Sequence, residues 1–405
     1  MNDTPKPRPL SIYLVAVEES GDALGAALAR ALVADASGAV KLAGVGGRAM
    51  AAAGVSSPFP IDDLAIIGVS AIPRRLPMML RRIRETADLI IAARPDALVI
   101  IDSPDFSHRV ARRVRSSAPA IPILDYVSPT VWAWRSGRAR AMRHYVDRVL
   151  AILPFEPAVH ARLGGPLCLY VGHPLIERLA ELRPNPDEAQ RRRSDPPLVL
   201  VLPGSRSSEI DRLLAIFGAA LELTAARVGA LELVLPTPPH LVARVRAGVA
   251  GWAIQPRVVT EPAEKLAAFR TARAALAASG TVTLELALAG VPTVAAYRVT
   301  LLEEIIARLI RLRARLASVI LANLVIGQNI VPEFLQSSCT PRLLADALAP
   351  LIANTPERLR QVEGFARLDR IMAVDTAPSA KAAAIVLDVA RRGRGDLAAA
   401  AVGKS

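Results

Sequence analysis

Cysteine is nearly absent from this chain: Cys168 and Cys339 are the only two, and they lack metal-ligand spacing. That excludes a disulfide framework and points to a reducing compartment, the cytoplasm by default. The five histidines, at positions 108, 144, 160, 173 and 240, also lack metal-like spacing, and no Asp-x-Asp pair occurs. No metal and no cofactor are therefore expected. Aromatics are scarce at 4%, and the arginines are not interleaved with them, so nucleic acid is not expected as a partner. Nor is a signal peptide, since residues 1–9 are polar and Pro-rich and the apolar run at 12–17 soon meets Glu18 and Glu19. Negative charge is in deficit, and the net charge of +13 fits anionic lipid headgroups better than nucleic acid. Residues 274–297 carry Glu285 as their only charge, but Ser279-Gly280-Thr281 and Gly290-Val291-Pro292 divide them into strand, helix and strand. Thr281 is placed to cap that helix and Gly290 to stop it, which reads as buried α/β core and not a membrane span.

What is present is alternation. Apolar strand-like runs at 11–16, 41–45, 97–101 and 121–126 alternate with helical patterns such as 23–32 and 107–115, and further strands follow at 198–202, 231–235, 274–277 and 293–296. The pattern implies parallel sheets covered by helices. A chain of 405 residues exceeds one ordinary core. The expected fold class is therefore α/β, with two Rossmann-like domains, 8–175 and 176–350, facing across a cleft. A surface connection is expected at 183–197, helices over 351–405, and a frayed tail from 391.

Two loops carry the clearest chemistry. Leu202-Pro203-Gly204-Ser205-Arg206 and Ala278-Ser279-Gly280-Thr281-Val282-Thr283-Leu284-Glu285 each follow a strand and open a helix, aiming backbone N–H groups beyond the sheet edge. Together they suit a nucleotide diphosphate, with Arg206 forking to phosphate oxygens and Glu285 accepting from ribose hydroxyls. A nucleotide-sugar site follows. Without a metal, Arg206 and helix N-termini would stabilise the departing diphosphate.

The first half supplies carboxylates. Glu18-Glu19-Ser20-Gly21-Asp22 lies at the end of the first strand, either as a ligand site or as a turn whose Asp22 favours the helix dipole. Gly44-Val45-Gly46-Gly47 is a ligand-binding turn or a close packing point. In Ile101-Asp102-Ser103-Pro104-Asp105-Phe106, Asp102 suits the base that takes the acceptor hydroxyl's proton in an inverting glycosyl transfer, and Asp105 suits an N-cap for a helix near Ser107. Trp132 and Trp134 alternate, so an extended segment would put both on one face against a sugar, an acyl chain or the core. His173 reads as a hinge residue or a ligand.

Two basic amphipathic stretches read as lipid-facing surfaces or as ordinary solvated helices. In the first, Val69, Ile72, Leu76, Met79, Leu80 and Ile83 share a face, with Arg74, Arg75, Arg81, Arg82 and Arg84 away from it, and Pro73 and Pro77 preclude a regular helix before about Pro77. The second, 301–316, sets Arg308, Arg311 and Arg315 opposite an apolar stripe.

The ordered succession of these motifs, with Leu153-Pro154-Phe155-Glu156, Val171-Gly172-His173-Pro174 and Glu209-Ile210, resembles the lipid-A-disaccharide synthase family, glycosyltransferase family 19, from 12 to 341. Its most specific blocks are Val127-Ser128-Pro129-x-Val131-Trp132-Ala133-Trp134-Arg135 and Ser279-Gly280-Thr281. The resemblance implies a GT-B enzyme that joins UDP-2,3-diacylglucosamine to 2,3-diacylglucosamine 1-phosphate, giving the β-1′,6 disaccharide 1-phosphate and UDP. It also implies a peripheral enzyme of the inner membrane's cytoplasmic face, acyl chains handled near 64–84, and a C-terminal region packed back on the first domain or exchanged in a homodimer. By resemblance, Gly204, Ser205, Arg206, Ser279, Gly280, Thr281, Thr283, Glu285 and Asn323 bind the UDP-sugar. Ser20, Gly21, Asp22, Ser128 and Trp132 line the acceptor cleft, and Asp102, Glu18 or Asp105 is the base. Val17, Ala322 and Gln328 depart from the family pattern, which has Gly, Pro and Arg there. The alternatives are another lipid-linked-sugar transferase, a nucleotide-sugar epimerase on the same fold, or a non-catalytic basic protein of the membrane surface.

Overall fold

The computed structural model describes residues 8–36, 40–61, 72–298 and 318–402, with side chains over 8–36, 40–61, 76–298 and 318–396. The chain forms two compact units, 1–176 with 374–405, and 177–373.

In the first unit the described elements are β1 (Leu10–Ala16), α1 (Glu19–Asp35), β2 (Val40–Val45), α2 (Arg48–Ala52), α3 (Ile72–Ala93), β3 (Ala97–Ile101), α4 (Pro104–Ser117), β4 (Ile123–Tyr126), α5 (Gly137–Met142), β5 (Arg148–Ala151), α6 (Glu156–Leu163) and β6 (Leu167–Tyr170). The second unit holds α7 (Leu179–Leu182), α8 (Pro186–Arg191), β7 (Leu198–Leu202), α9 (Ser207–Val228), β8 (Glu232–Pro236), α10 (Val242–Val249), β9 (Arg257–Val259), α11 (Pro262–Thr271), β10 (Ala274–Ala278) and α12 (Val282–Leu288). It continues with β11 (Thr293–Tyr297), α13 (Leu321–Ile326), β12 (Glu333–Leu335), α14 (Pro341–Ile352) and α15 (Pro356–Met372), after which α16 (Pro378–Val402) returns to the first unit.

Each unit is built on a six-stranded parallel sheet, ordered β2-β1-β3-β4-β5-β6 in the first and β12-β11-β10-β7-β8-β9 in the second. The central strands β3, β7 and β10 are buried along their whole length, as expected when helices cover both faces. Strand order reverses direction between β1 and β3 in one sheet and between β7 and β10 in the other. At such a switch point the two following connections leave toward opposite faces and open a crevice beyond the strands' C-terminal ends.

The expected strands at 97–101 and 198–202 coincide with β3 and β7. Strands β5, β6, β9 and β12 escaped sequence reading because they have only three or four residues each, too short for a period to register. The connection at 183–197 is no simple surface loop. It contains α8, and Arg192 just beyond it donates to the carbonyl oxygens of Phe269, Arg270, Ala289 and Gly290, tying down the ends of α11 and α12. Burial lowers the Arg192 guanidinium to about 10, with Arg358 adding to the effect.

Nor is the tail frayed at 391. Helix α16 runs to Val402, turns at Gly393 (φ 67), and seats Arg394 on Asp147 at 3.0 Å and on the Pro119 carbonyl at 2.9 Å. The segment from 351 is divided between the units: α15 belongs to the second and α16 to the first. Helix α3 begins at Ile72, ahead of both prolines. Pro73 falls in the first turn, where its missing N–H costs nothing, and Pro77 forgoes a single bond.

Val386 and Leu387 of α16 are fully buried in one apolar cluster with Ile12 and Leu14 of β1 and Leu28 and Leu32 of α1. Leu387→Ala should therefore lower the stability of the first unit by about 2–5 kcal/mol. Urea unfolding followed by hydrogen exchange in β1 checks this, and a loss below about 1 kcal/mol would show that α16 is not part of that core.

Candidate functional site

Beyond the C-terminal ends of β1, β2 and β3 lies a cavity of about 1310 Å³. Its wall is apolar at Val17, Phe59, Ile61, Met79 and Phe106, and its polar side carries Glu18, Glu19, Ser20, Arg48 and Asp105. Glu18, Glu19 and Ser20 are exposed in the turn from β1 into α1. Asp22 is only 5% exposed, and its two oxygens accept the N–H groups of Gly47, Ala49 and Met50 at 2.7, 2.8 and 3.0 Å. Its carboxylate thus caps α2 from another element, while Asp22 still lines the cavity. Position 47 admits only Gly, because a Cβ there would sit 2.6 Å from Asp22 Oδ2. Gly21 is buried and does not line the cavity.

Asp102, just beyond β3, takes a left-handed conformation (φ 54), as does Ser103 (φ 47), and Val127, just beyond the neighbouring β4, takes φ 81. Such backbone strain, about 1–3 kcal/mol per residue, clusters at functional sites. The Asp102 carboxylate accepts the Ser103 N–H at 2.8 Å and faces the Ser20 hydroxyl at 3.5 Å, so it stands one hydrogen bond behind the cavity wall. Burial raises its pKa above the usual carboxylate range. The Ser103 N–H opposes the rise, Glu18 and Asp125 add to it, and Ser20 opposes it. Asp105 does not cap a helix at Ser107. Helix α4 begins at Pro104 with Ser103 as its cap residue, and the Asp105 side chain, 75% exposed, lies 3.6 Å from Arg138.

The segment after β4 is a turn, not an extended strand: Thr130 O accepts the N–H groups of Ala133 and Trp134. The two indoles therefore part company. Trp132 Nε1 donates to Glu156 at 3.3 Å, with its ring edge-on to Phe155, whereas Trp134 is exposed, bonded to Thr130 and covered by the Arg135 guanidinium. Ser128, expected in the acceptor cleft, is buried and bonded to His160 Nε2 at 2.8 Å. Neither Ser128 nor Trp132 lines the cavity. His173 Nδ1 accepts the Leu175 N–H, and burial lowers this imidazole to about 4.

In the second unit the two glycine loops follow the paired strands β7 and β10 and so leave the same sheet edge. Ser205, Arg206, Gly280 and Thr281 are exposed at that edge. The first loop brings its own anion: Glu209 accepts the N–H groups of Ser205 and Arg206 at 3.0 and 3.3 Å, and holds the Arg206 guanidinium at 2.9 Å. Gly204 (φ 118) is required there, because a Cβ would overlap the Glu209 carboxylate. In the second loop Thr281 makes no side-chain cap. Thr283, 1% exposed, closes the turn by donating to Gly280 O at 2.7 Å, and Gly290 (φ 69) ends the helix as expected. Glu285 is half-buried and paired with Lys265 at 3.0 Å.

Asn323 is bonded within its own loop. It is 2% exposed and donates to Ser318 Oγ and Val331 O, while its oxygen accepts the N–H groups of Ile330 and Val331. Gln328 is held by Arg367.

Of the expected membrane face, Val69 and 301–316 lie outside the described residues, as do the side chains of Ile72, Arg74 and Arg75. Met79 and Leu80 are half-buried against the core, Met79 also lining the cavity, and Arg82 lies over the Phe59 ring and pairs with Glu85. Leu76 and Arg81 are exposed. Among the described residues, no helix is long and apolar enough to cross a membrane, and no cluster of three His, Cys, Asp or Glu side chains could hold a metal.

Sequence reading passed over the buried acid. Glu156 is 2% exposed, and burial holds its pKa up to about 8 despite bonds from Leu153 and Ile152 N–H and from Trp132. An acid raised in the fold from its ordinary 4.5 confers stability that is complete below that value and lost as pH rises through the folded one. His160 and His173 are lowered by burial, so they act in the opposite sense and only below about 6.5. Between 6.5 and about 8 the slope belongs to Glu156, on the order of 2 kcal/mol. Thermal melts of the unaltered protein should fall across that window and those of Glu156→Gln should stay flat. Parallel slopes would mean Glu156 is ionised in the fold.

The chain matches the family described as lipid-A-disaccharide synthetase over residues 12–385. It is 58% identical to the lipid-A-disaccharide synthase of Nitrobacter hamburgensis, over 95% of this chain and 96% of that protein. It is 59% identical to the protein of that name from Rhodopseudomonas palustris strain BisB18, over 93% and 94%. The solved structure of MurG from Acinetobacter baumannii overlays with a TM-score of 0.59 at 17% identity, covering 94% of this chain and all of that one, 100%, and it shares the GT-B fold. With near-complete coverage in both directions, this chain belongs to the lipid-A-disaccharide synthase family.

Proposed function

We propose that the chain is a glycosyltransferase that condenses UDP-2,3-diacylglucosamine with 2,3-diacylglucosamine 1-phosphate. The products are the β-1′,6 lipid A disaccharide 1-phosphate and UDP. The observation that carries this reading is the identity with lipid-A-disaccharide synthases along almost the whole of both chains. It favours this reaction over epimerisation, over transfer to another lipid-linked sugar and over a purely binding role.

The residues divide the work. Asp102 takes the proton from the acceptor 6-hydroxyl as that oxygen attacks the donor's anomeric carbon from the face opposite the diphosphate. The anomeric C–O bond breaks, and UDP leaves with the electron pair. A raised carboxyl is the better base for a hydroxyl, because it holds the accepted proton more firmly. At the β7 and β10 loops, Arg206 and exposed N–H groups meet the developing phosphate charge, and Glu285 binds the ribose. Arg206 has to exchange its bond to Glu209 for the diphosphate. The cavity beside β1 and β3, apolar on one wall and polar on the other, suits an acceptor that is half sugar and half acyl chain. Leu76 and Arg81 at the start of α3 serve as contacts with an anionic membrane surface, which makes the protein peripheral on the inner membrane.

Incubating the purified protein with both substrates should yield the disaccharide 1-phosphate by mass spectrometry, and its absence would sink the assignment. Asp102→Asn should fold normally and lose at least about a hundredfold in turnover, with Asp105→Asn and Glu18→Gln affected far less. Retained turnover in Asp102→Asn beside collapse in either of the others would move the base there. Arg206→Ala should weaken UDP binding about tenfold or more, and an unchanged dissociation constant would remove it from the site. For the membrane contact, Leu76→Ser with Arg81→Glu should reduce binding to phosphatidylglycerol vesicles and spare turnover of short-chain substrates. Unaltered vesicle binding would end that part of the reading.

A further inference from the structure

Behind the strained end of β3 sits a carboxylate with no place in the reaction as described. Asp125 on β4 is fully buried, and its register partner on β3 is Ile100, two residues before Asp102. Among the described residues neither of its oxygens accepts a hydrogen bond. The imidazole of His108 of α4 lies beside it, with Nε2 3.2 Å from Oδ2. The other ring nitrogen of His108 faces the Tyr145 hydroxyl at 3.0 Å, and Arg112 donates to the same hydroxyl at 3.3 Å. Helix α4 is the one that Asp102 and Ser103 lead into. Ser107, just before His108, donates its hydroxyl to the Asp102 carbonyl at 2.6 Å, and the Asp102 N–H reaches Tyr126 O, the residue after Asp125, at 3.1 Å. A buried carboxyl group that receives no hydrogen bond is unfavourable. This chain nevertheless keeps one, on the strand paired with the one that leads to the proposed base.

We propose that His108 and Asp125 are a positioning pair for Asp102. They clip α4 to β4 and supply, as one buried carboxylate with its imidazole, the electrostatic background in which Asp102 accepts the proton. The inference rests on Asp102 being the base. Around Asp102 the other contributors are Glu18 and Ser20, and Asp125 raises its proton affinity along with burial and Glu18. Around Asp125 stand His108 and Arg112 of α4, Tyr145 with Arg138 near it, Glu156 and His160 of α6, and Cys168 of β6. Replacing the Asp125 carboxyl by an amide should make Asp102 more acidic. Removing His108 and leaving Asp125 should do the reverse.

The test is the pH profile of kcat/KM, whose acidic limb reports the base in the free enzyme, measured on the full chain with both diacylglucosamine substrates. Asp125→Asn should move that limb to lower pH. His108→Gln should move it to higher pH, and the double variant should restore it to or below its original position. Circular dichroism and melts identify any variant that fails to fold, and Asp125→Asn, close to isosteric, keeps the test alive if His108→Gln is lost. If Asp102→Asn is inactive and the limb is unmoved in Asp125→Asn, the pair is ordinary packing and the inference fails alone. If Asp102→Asn keeps its turnover, the base assignment fails and takes the inference with it.

Discussion

A parallel sheet covered on both faces leaves its strands no place for solvent-facing polar chemistry except their ends, because a polar group within a buried strand has no water to meet it. In both units the central strands are apolar throughout. Every exposed site group on those strands is therefore driven to the C-terminal edge, and the reversal of strand order decides which edge loops open. In the first unit that brings together the turns after β1, β2 and β3 around the cavity, and in the second the turns after β7 and β10.

The units share a device for keeping those edges in shape without a ligand. Asp22 accepts three N–H groups at the start of α2, and Glu209 accepts two at the start of α9. Both carboxylates satisfy backbone donors that a helix N-terminus leaves open. Both also demand a glycine close by, Gly47 and Gly204, because a Cβ would occupy the space of the oxygen. A glycine-rich turn is thus compatible with two quite different uses. At Gly47 it seats an internal acid for good, whereas at Gly204 the internal acid also holds the arginine that a diphosphate would claim.

Polar groups beneath the first edge are arranged differently. Asp125, His108, Glu156 and His160 are all buried, and each is tied to a turn or helix that shapes the end of β3 or β4. Such groups cost desolvation energy, and their return lies in fixing geometry. The strained backbone at Asp102 and Val127 is held by neighbouring groups: the Ser107 hydroxyl and the Tyr126 carbonyl fix Asp102 from two sides, and the Leu150 carbonyl accepts the Val127 N–H.

Local sequence was enough to determine the α/β class, the central strands, the positions of the glycine loops and the placing of Asp102, Arg206 and Glu285 at strand or helix ends. Those are consequences of short-range pattern: apolar runs of five residues, a glycine where the chain turns, a carboxylate one step beyond the strand. Tertiary structure alone decided which polar residues remain available. Asp22 is engaged by an element 25 residues away, Ser128 by His160 at 32 residues, and Trp132 by Glu156 at 24. Asn323 looked like a ligand contact and is bonded within its own loop, while Met79 and Leu80 looked lipid-facing and are half-buried against the core. A side chain's type and periodicity state what it can bond to. Which partner reaches it first depends on distances between elements that no local window contains.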